Sequence, residues 1–157
     1  MSEEHKEQKE KTASVASLLI RLVVGVVLLF AGIAKLIGII GGTVGYGTFI
    51  QNFVDGIKES WVYNWPFRAL IYAFAALLPW LETGLGLLVS IGYRTRLALV
   101  VAAVLLGHLM FGMILQGKPD VVANNSQYVV YAAIAYYFAT RGNRYSLDAL
   151  LARKKQP

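Results

Sequence analysis

The sequence predicts an all-α integral membrane protein, a four-helix bundle with a short extracytoplasmic helix lying on the outer interface. Three observations predict it. Hydrophobic residues make up 57% of the 157-residue chain and charged ones 15%, and the mean hydropathy of +0.55 is far above that of most water-soluble domains. The charges are segregated, with basic residues crowded into the tails and one short turn. Four apolar runs, roughly 15–40, 67–93, 97–115 and 121–140, are each long enough to cross a hydrocarbon core of about 30 Å.

Composition also excludes several chemistries. With no cysteine, the chain has no disulfide, thiolate nucleophile or iron–sulfur cluster of its own. Its two histidines, His5 in the charged tail and His108 in an apolar run, do not suit a bis-histidine haem, and no metal site is expected. The net charge of +6 reads as orientation and contact with anionic lipid, not as nucleic-acid binding, because no basic stretch sits on a soluble fold.

Residues 1–14 (MSEEHKEQKEKTAS) carry charges of mixed sign and cannot build a core, so they read as a solvated, mobile cytoplasmic tail. The run that follows is too long for a signal peptide and carries Arg21 and Lys35, so it is expected to remain as the first span. Within it Arg21, Gly25, Leu28, Gly32 and Lys35 fall on one narrow stripe at about 100° per residue. That stripe is expected to face the bundle, where glycines admit a close neighbour and charges escape lipid. The bland alternative has Arg21 and Lys35 snorkelling to opposite headgroup layers.

The connection Gly41 to Pro66 opens with a glycine-rich stretch that should end the first helix. Tyr46, Phe49, Ile50, Phe53, Val54, Ile57 and Trp61 then recur at helical spacing, with Gln51, Asn52, Asp55, Lys58 and Glu59 on the other face. This predicts a short helix on the outer interface, or a lid over an opening in the bundle. Trp61, Tyr63 and Trp65 read as an aromatic belt before the second span.

Glu82 is the only acid inside a span and follows Pro79, which frees the Ala75 carbonyl. An intramembrane carboxylate is a functional candidate as proton relay, ligand contact or counter-ion. If the first two spans are aligned at midpoints near Leu28 and Trp80, Arg21 is its nearer cation, and the structural alternative is a Glu82–Arg21 pair that only fixes packing. His108 lies at similar depth in the third span. The fourth span is fully apolar only from Tyr128, and Asn124, Asn125, Ser126 and Gln127 would occupy the outer leaflet after an Asp120 cap. Asn124, Gln127 and Tyr131 share one face, expected to point inward, where with Glu82 and His108 they would form a polar interior able to hold a quinone headgroup or pass protons. At the C-terminus, NRYSLDALLARKK predicts a short amphipathic helix capped by Ser146, with Leu147, Leu150 and Leu151 as apolar edge and Arg153, Lys154 and Lys155 facing anionic lipid.

Orientation follows from the basic residues. Lys6, Lys9, Lys11, Arg21, Arg94, Arg96, Arg141, Arg144, Arg153, Lys154 and Lys155 fall on one side, against Lys58, Arg68 and Lys118 on the other. The excess predicts a multi-pass protein with both termini and the Tyr93 to Arg96 turn in the cytoplasm; the expected location is the bacterial plasma membrane.

RLVVGVVLLFAGIAKL in the first span, PWLETGLGLLVSIGYRTRL across the second span and its turn, and RGNRYSLDALL near the C-terminus resemble the DoxX family of small four-helix membrane proteins. The likeness runs from Leu18 to Leu151, so 15–151 is expected to form one DoxX-like domain, followed by a basic tail over 152–157. Arg21, Gly25, Gly32 and Lys35 match the family's first-helix pattern, Glu82 its second-helix acid, and Tyr145, Ser146, Leu147 and Asp148 its C-terminal motif. The long outer loop and the NNSQ stretch are less typical. The resemblance implies a membrane subunit of a quinone-linked redox assembly of the thiosulfate:quinone oxidoreductase kind, with soluble or membrane redox partner subunits. Any sulfur chemistry would need another subunit, because no complete catalytic site is legible in this chain. Arg21, Glu82, His108 and Tyr131 are the candidate cofactor-binding residues, with quinone as the expected ligand. The alternatives are a non-enzymatic scaffold whose cytoplasmic turn and tail hold soluble proteins, and a small transporter for protons or a weak acid.

Overall fold

Helix α1 runs unbroken from Glu3 to Ile40, about 57 Å at 1.5 Å per residue and nearly twice the thickness of a hydrocarbon core. The computed structural model describes residues 3–64 and 66–154. Trp65 of the expected aromatic belt and Lys155 of the basic tail lie outside them.

The charged segment expected to be a mobile tail is the first third of α1. Its residues up to Lys9 are exposed, but its charges favour a helix. Glu3 and Glu4 occupy the first turn, where they oppose the helix dipole, and Glu7 pairs with Lys11 one turn on at 2.9 Å. Ala13 and Ser14 are already buried, so the helix continues into the bundle with no break at residue 14.

Glycines at positive φ separate the later helices. Gly42 (φ 71°) follows α1, Gly92 (φ 72°) closes α3, and Gly117 (φ 67°) lies between α4 and α5. The remaining elements are α2 (Tyr46–Asp55), α3 (Phe67–Ile91), α4 (Thr95–Leu115), α5 (Pro119–Arg141) and α6 (Leu147–Arg153). Pro119 opens α5 at a position where its missing N–H costs nothing. Helix α6 is capped by Ser146, whose hydroxyl accepts from the Ala149 N–H as the sequence predicts.

Helix α1 packs between α3 and α5, and α4 packs on α5 and more lightly on α3. Their shared core is made by Val24 and Leu28 of α1, Leu78 and Val89 of α3, Leu99, Ala102 and Leu106 of α4, and Ala132 and Ala135 of α5. Large apolar residues such as Phe30, Leu70, Leu77, Val104 and Ile114 point outward, the pattern of a bundle solvated by lipid. Among the described residues α1, α3 and α4 are long and apolar enough to cross a membrane, and the chain is an all-α, multi-pass membrane protein. Helix α5, at 23 residues, has sufficient length, but its polar first half dilutes its hydropathy.

Candidate functional site

Helices α1 and α3 touch backbone to backbone. A Cβ built on Gly86 would lie 2.6 Å from the Leu29 Cα, one on Gly25 2.8 Å from the Ser90 nitrogen, and one on Gly32 2.8 Å from the Pro79 oxygen. Only hydrogen fits at these positions. The Thr83 and Ser90 hydroxyls donate back to Pro79 and Gly86 oxygens, each at 2.8 Å, so the seam leaves neither hydroxyl unpaired.

This seam sets the register. With Gly32 against Pro79 and Thr83, and Gly25 against Gly86 and Ser90, Lys35 stands about 6 Å along the axis from Glu82 and Arg21 about 15 Å on the other side. Lys35, its stem directed back toward the helix N-terminus, donates from Nζ to Glu82 Oε2. Glu82 is 2% exposed, while the Lys35 side chain keeps 31% of its surface. The pairing expected from the sequence is thereby corrected: Glu82 binds Lys35 and not Arg21. Aligning span midpoints misjudged the register by about 7 Å, because the glycines and not the span centres decide how the helices slide. Nearby, where Pro79 removes an N–H from the ladder, Tyr46 of α2 donates its hydroxyl to the Ala76 carbonyl.

Arg21 belongs to a different cluster, at the end of the bundle that carries α6. Its Nη2 donates to the Tyr145 carbonyl at 2.7 Å and its Nη1 to Asn143 Oδ1 at 3.3 Å. The guanidinium lies against Gly92, where any side chain would meet it. Its Nε and the Ser17 hydroxyl one turn away are buried without a partner among the described residues. Asp148 completes the cluster. Its carboxylate accepts from the Arg94 and Thr95 N–H groups at 2.7 and 2.8 Å and lies 2.9 Å from the Thr95 hydroxyl. It thus caps α4, whose own preceding residue Arg94 sits at φ 45° and supplies no side-chain cap. Farther out, Arg144 grips Glu10 through bonds of 3.0 and 2.9 Å. Those bonds hold the Glu10 carboxyl below the usual carboxylate range, as Lys11 and then Arg144 do for Glu7.

His108 is exposed on α4 and lines an apolar cleft of about 440 Å³ with Phe53, Phe74, Leu77, Phe111 and Leu115. Its Nδ1 lies 2.8 Å from the Val104 carbonyl, a contact that needs a proton on Nδ1 and leaves Nε2 as the acceptor whenever the ring carries a single proton. Phe74 stands beside it at 6.3 Å between ring centres. Helix α2 turns its apolar face onto α3, with Phe53 6.1 Å from Phe74, and Phe53, Ile57 and Val62 form one wall of the cleft.

Tyr131 is exposed and stacks edge-on to Tyr128 at 6.1 Å. Asn124 and Gln127 are exposed on the same flank of α5, which corrects the inward orientation expected for all three. Spacing shows which residues share a face but not where it points, and the alanines of α5 win the core because their small side chains let α4 and α1 approach. No hydrogen bond joins Arg21, Glu82, His108 and Tyr131 among the described residues, and each has different neighbours. Sequence reasoning missed Asn143 and Thr95 and the capping role of Asp148. Nothing in the local pattern distinguishes a carboxylate that caps its own helix from one that caps another. Among the described residues no group of acidic, histidine or cysteine side chains could hold a metal.

A family model described as methylamine utilisation protein MauE matches residues 13–119, the stretch that contains Arg21, Lys35, Glu82 and His108 but not Tyr131 or Asp148. No curated protein and no solved structure matches the chain. The chain belongs to the MauE family, which is DoxX-like in a broad sense.

Proposed function

From that membership we propose that the protein is an accessory membrane component of methylamine utilisation, working as a DoxX-like subunit of a quinone-linked redox assembly. The observation that carries this reading is the His108 cleft. A single imidazole stands in an otherwise apolar recess, with its tautomer fixed by Val104. Such a recess suits an isoprenoid body, and Nε2 suits the hydroxyl of a reduced quinone ring, from which it can accept a hydrogen bond and then a proton. Lys35 with Glu82, and Arg21 with its carbonyl partners, support the fold in this reading and do not touch the ligand. The distribution of basic residues supports cytoplasmic termini, which cysteine labelling at Asp55 and Arg94 from each side of the membrane would test.

Gentle detergent purification followed by mass spectrometry of bound lipid is the direct test. Quinone is expected with the native chain and reduced at least about tenfold with His108→Leu, at unchanged melting temperature. Equal quinone in both would remove His108 from the site, and none in either would defeat the reading.

A scaffold role is the second reading. The first third of α1 favours it, since this charged, exposed helix runs on past the bundle and offers a rigid surface to a soluble partner. The Ser146 to Asp148 motif argues against its own expected part in such docking, because its polar groups are spent within the chain.

A further inference from the structure

The exposed flank of α5 is polar at a depth where its neighbours are apolar. Helix α5 lies antiparallel on α4, with Ala132 and Tyr136 bordering a groove shared with Leu99 and Ala103. Carried along the helices, that register sets Gln127 level with His108 and Asn124 level with Phe111, well inside the apolar run of α4. Exposed residues of α4 around this level include Val104, Phe111 and Ile114, side chains suited to lipid. The side-chain carboxamides of Asn124 and Gln127 have no hydrogen-bond partner among the described residues, and a carboxamide facing hydrocarbon has no water to satisfy it.

The same flank carries a helix-packing pattern. Ala123, Gln127, Val130 and Ile134 are all exposed and recur at alternating steps of four and three, the seam of a left-handed helix pair, with Asn124 and Tyr131 at its rim. We infer that this seam is an interface between two copies of the chain, packed α5 against α5 about a two-fold axis normal to the membrane. The face bears no charge, so no charged partner is called for. A carboxamide is both donor and acceptor and therefore complements its own symmetry mate, and one polar residue in an apolar seam fixes register. Two copies inserted in the same orientation bring Gln127 to Gln127. The inference rests on the chain spanning the membrane, not on quinone binding.

The cysteine-free sequence permits a direct test in native membranes. Gln127→Cys and Val130→Cys, made singly in the full chain, are expected to form disulfide-linked dimers on mild oxidation, at least about tenfold more than Phe30→Cys on the outward face of α1. Equal cross-linking at all three positions, or a product containing another protein, would overturn the inference. So would absence of cross-linking in variants that keep the native melting temperature. If the variants do not fold, photobleaching of the labelled native chain in bilayers decides: two steps support the dimer and single steps overturn it.

Discussion

Arg21 and Lys35 stand on one stripe of α1, about 21 Å apart along the axis, and are accommodated in opposite ways. Arg21 is 1% exposed and is held by neutral partners, the Tyr145 carbonyl and the Asn143 amide, with Asp148 as the nearby counter-charge. Lys35 stays partly exposed and spends its charge on one buried acid, Glu82. The planar guanidinium, with its five donors, can tie several chain segments together, whereas an ammonium on a flexible stem serves as a movable point charge. One helical face thus carries a joint at one end and a neutralising pair at the other.

The largest expected effect breaks the pair. Lys35→Met leaves Glu82 buried and unpaired and should cost about 3 kcal/mol in detergent. Glu82→Gln should cost less, because a partly exposed lysine can turn toward the interface. Lys35→Leu with Glu82→Leu should recover most of the loss, as measured by thermal unfolding in a double-mutant cycle. At Arg21 no single second change should give such recovery, since its partners include a backbone carbonyl. A rescuing partner for Arg21, or none for Lys35, would erase the distinction.

Both charges depend on the glycine seam for their positions. Gly86→Ala should cost about 1–3 kcal/mol by forcing the helices apart, while Gly107→Ala, which meets nothing within 4 Å, should be neutral or slightly stabilising. Equal effects would mean that the close approach of α1 and α3 does not set the register. At the Arg21 end, Asp148→Ala removes the cap of α4 and should cost about 1–2 kcal/mol, with faster amide exchange at Arg94 and Thr95.

The smallest effect lies farther out. The Glu7 and Glu10 carboxyls have lowered pKa values in the folded chain, so their contribution is complete above the ordinary carboxylate pKa and is lost as pH falls through the depressed value. Amide exchange over the first turns of α1 should therefore quicken below about pH 4 while the bundle core stays protected. Fraying that is independent of pH would show that Arg144 does not hold this segment.

The sequence carried the helices and the inward stripe of α1 because periodicity in an apolar run is a local signal. Register was not local: it came from three glycines meeting across two helices, and a midpoint alignment sent Glu82 to the wrong cation. Direction was not local either. Asn124, Gln127 and Tyr131 share a face as their spacing says, but which way it turns was decided by Ala132, Ala135 and Ala139 packing inward. The helical state of residues 3–14 was legible in principle from the Glu7–Lys11 spacing, although its anchoring by Arg144 was not.

The Arg21 joint also imposes an order on biosynthesis. Its partners follow it by 122 and 124 residues, so at ordinary translation speeds Arg21 waits on the order of ten seconds before they leave the ribosome. During that interval its guanidinium lacks the partners that hold it in the folded chain. The Asn143 to Asp148 segment supplies them and also caps α4, so a late-made stretch of chain ties an early helix to a middle one.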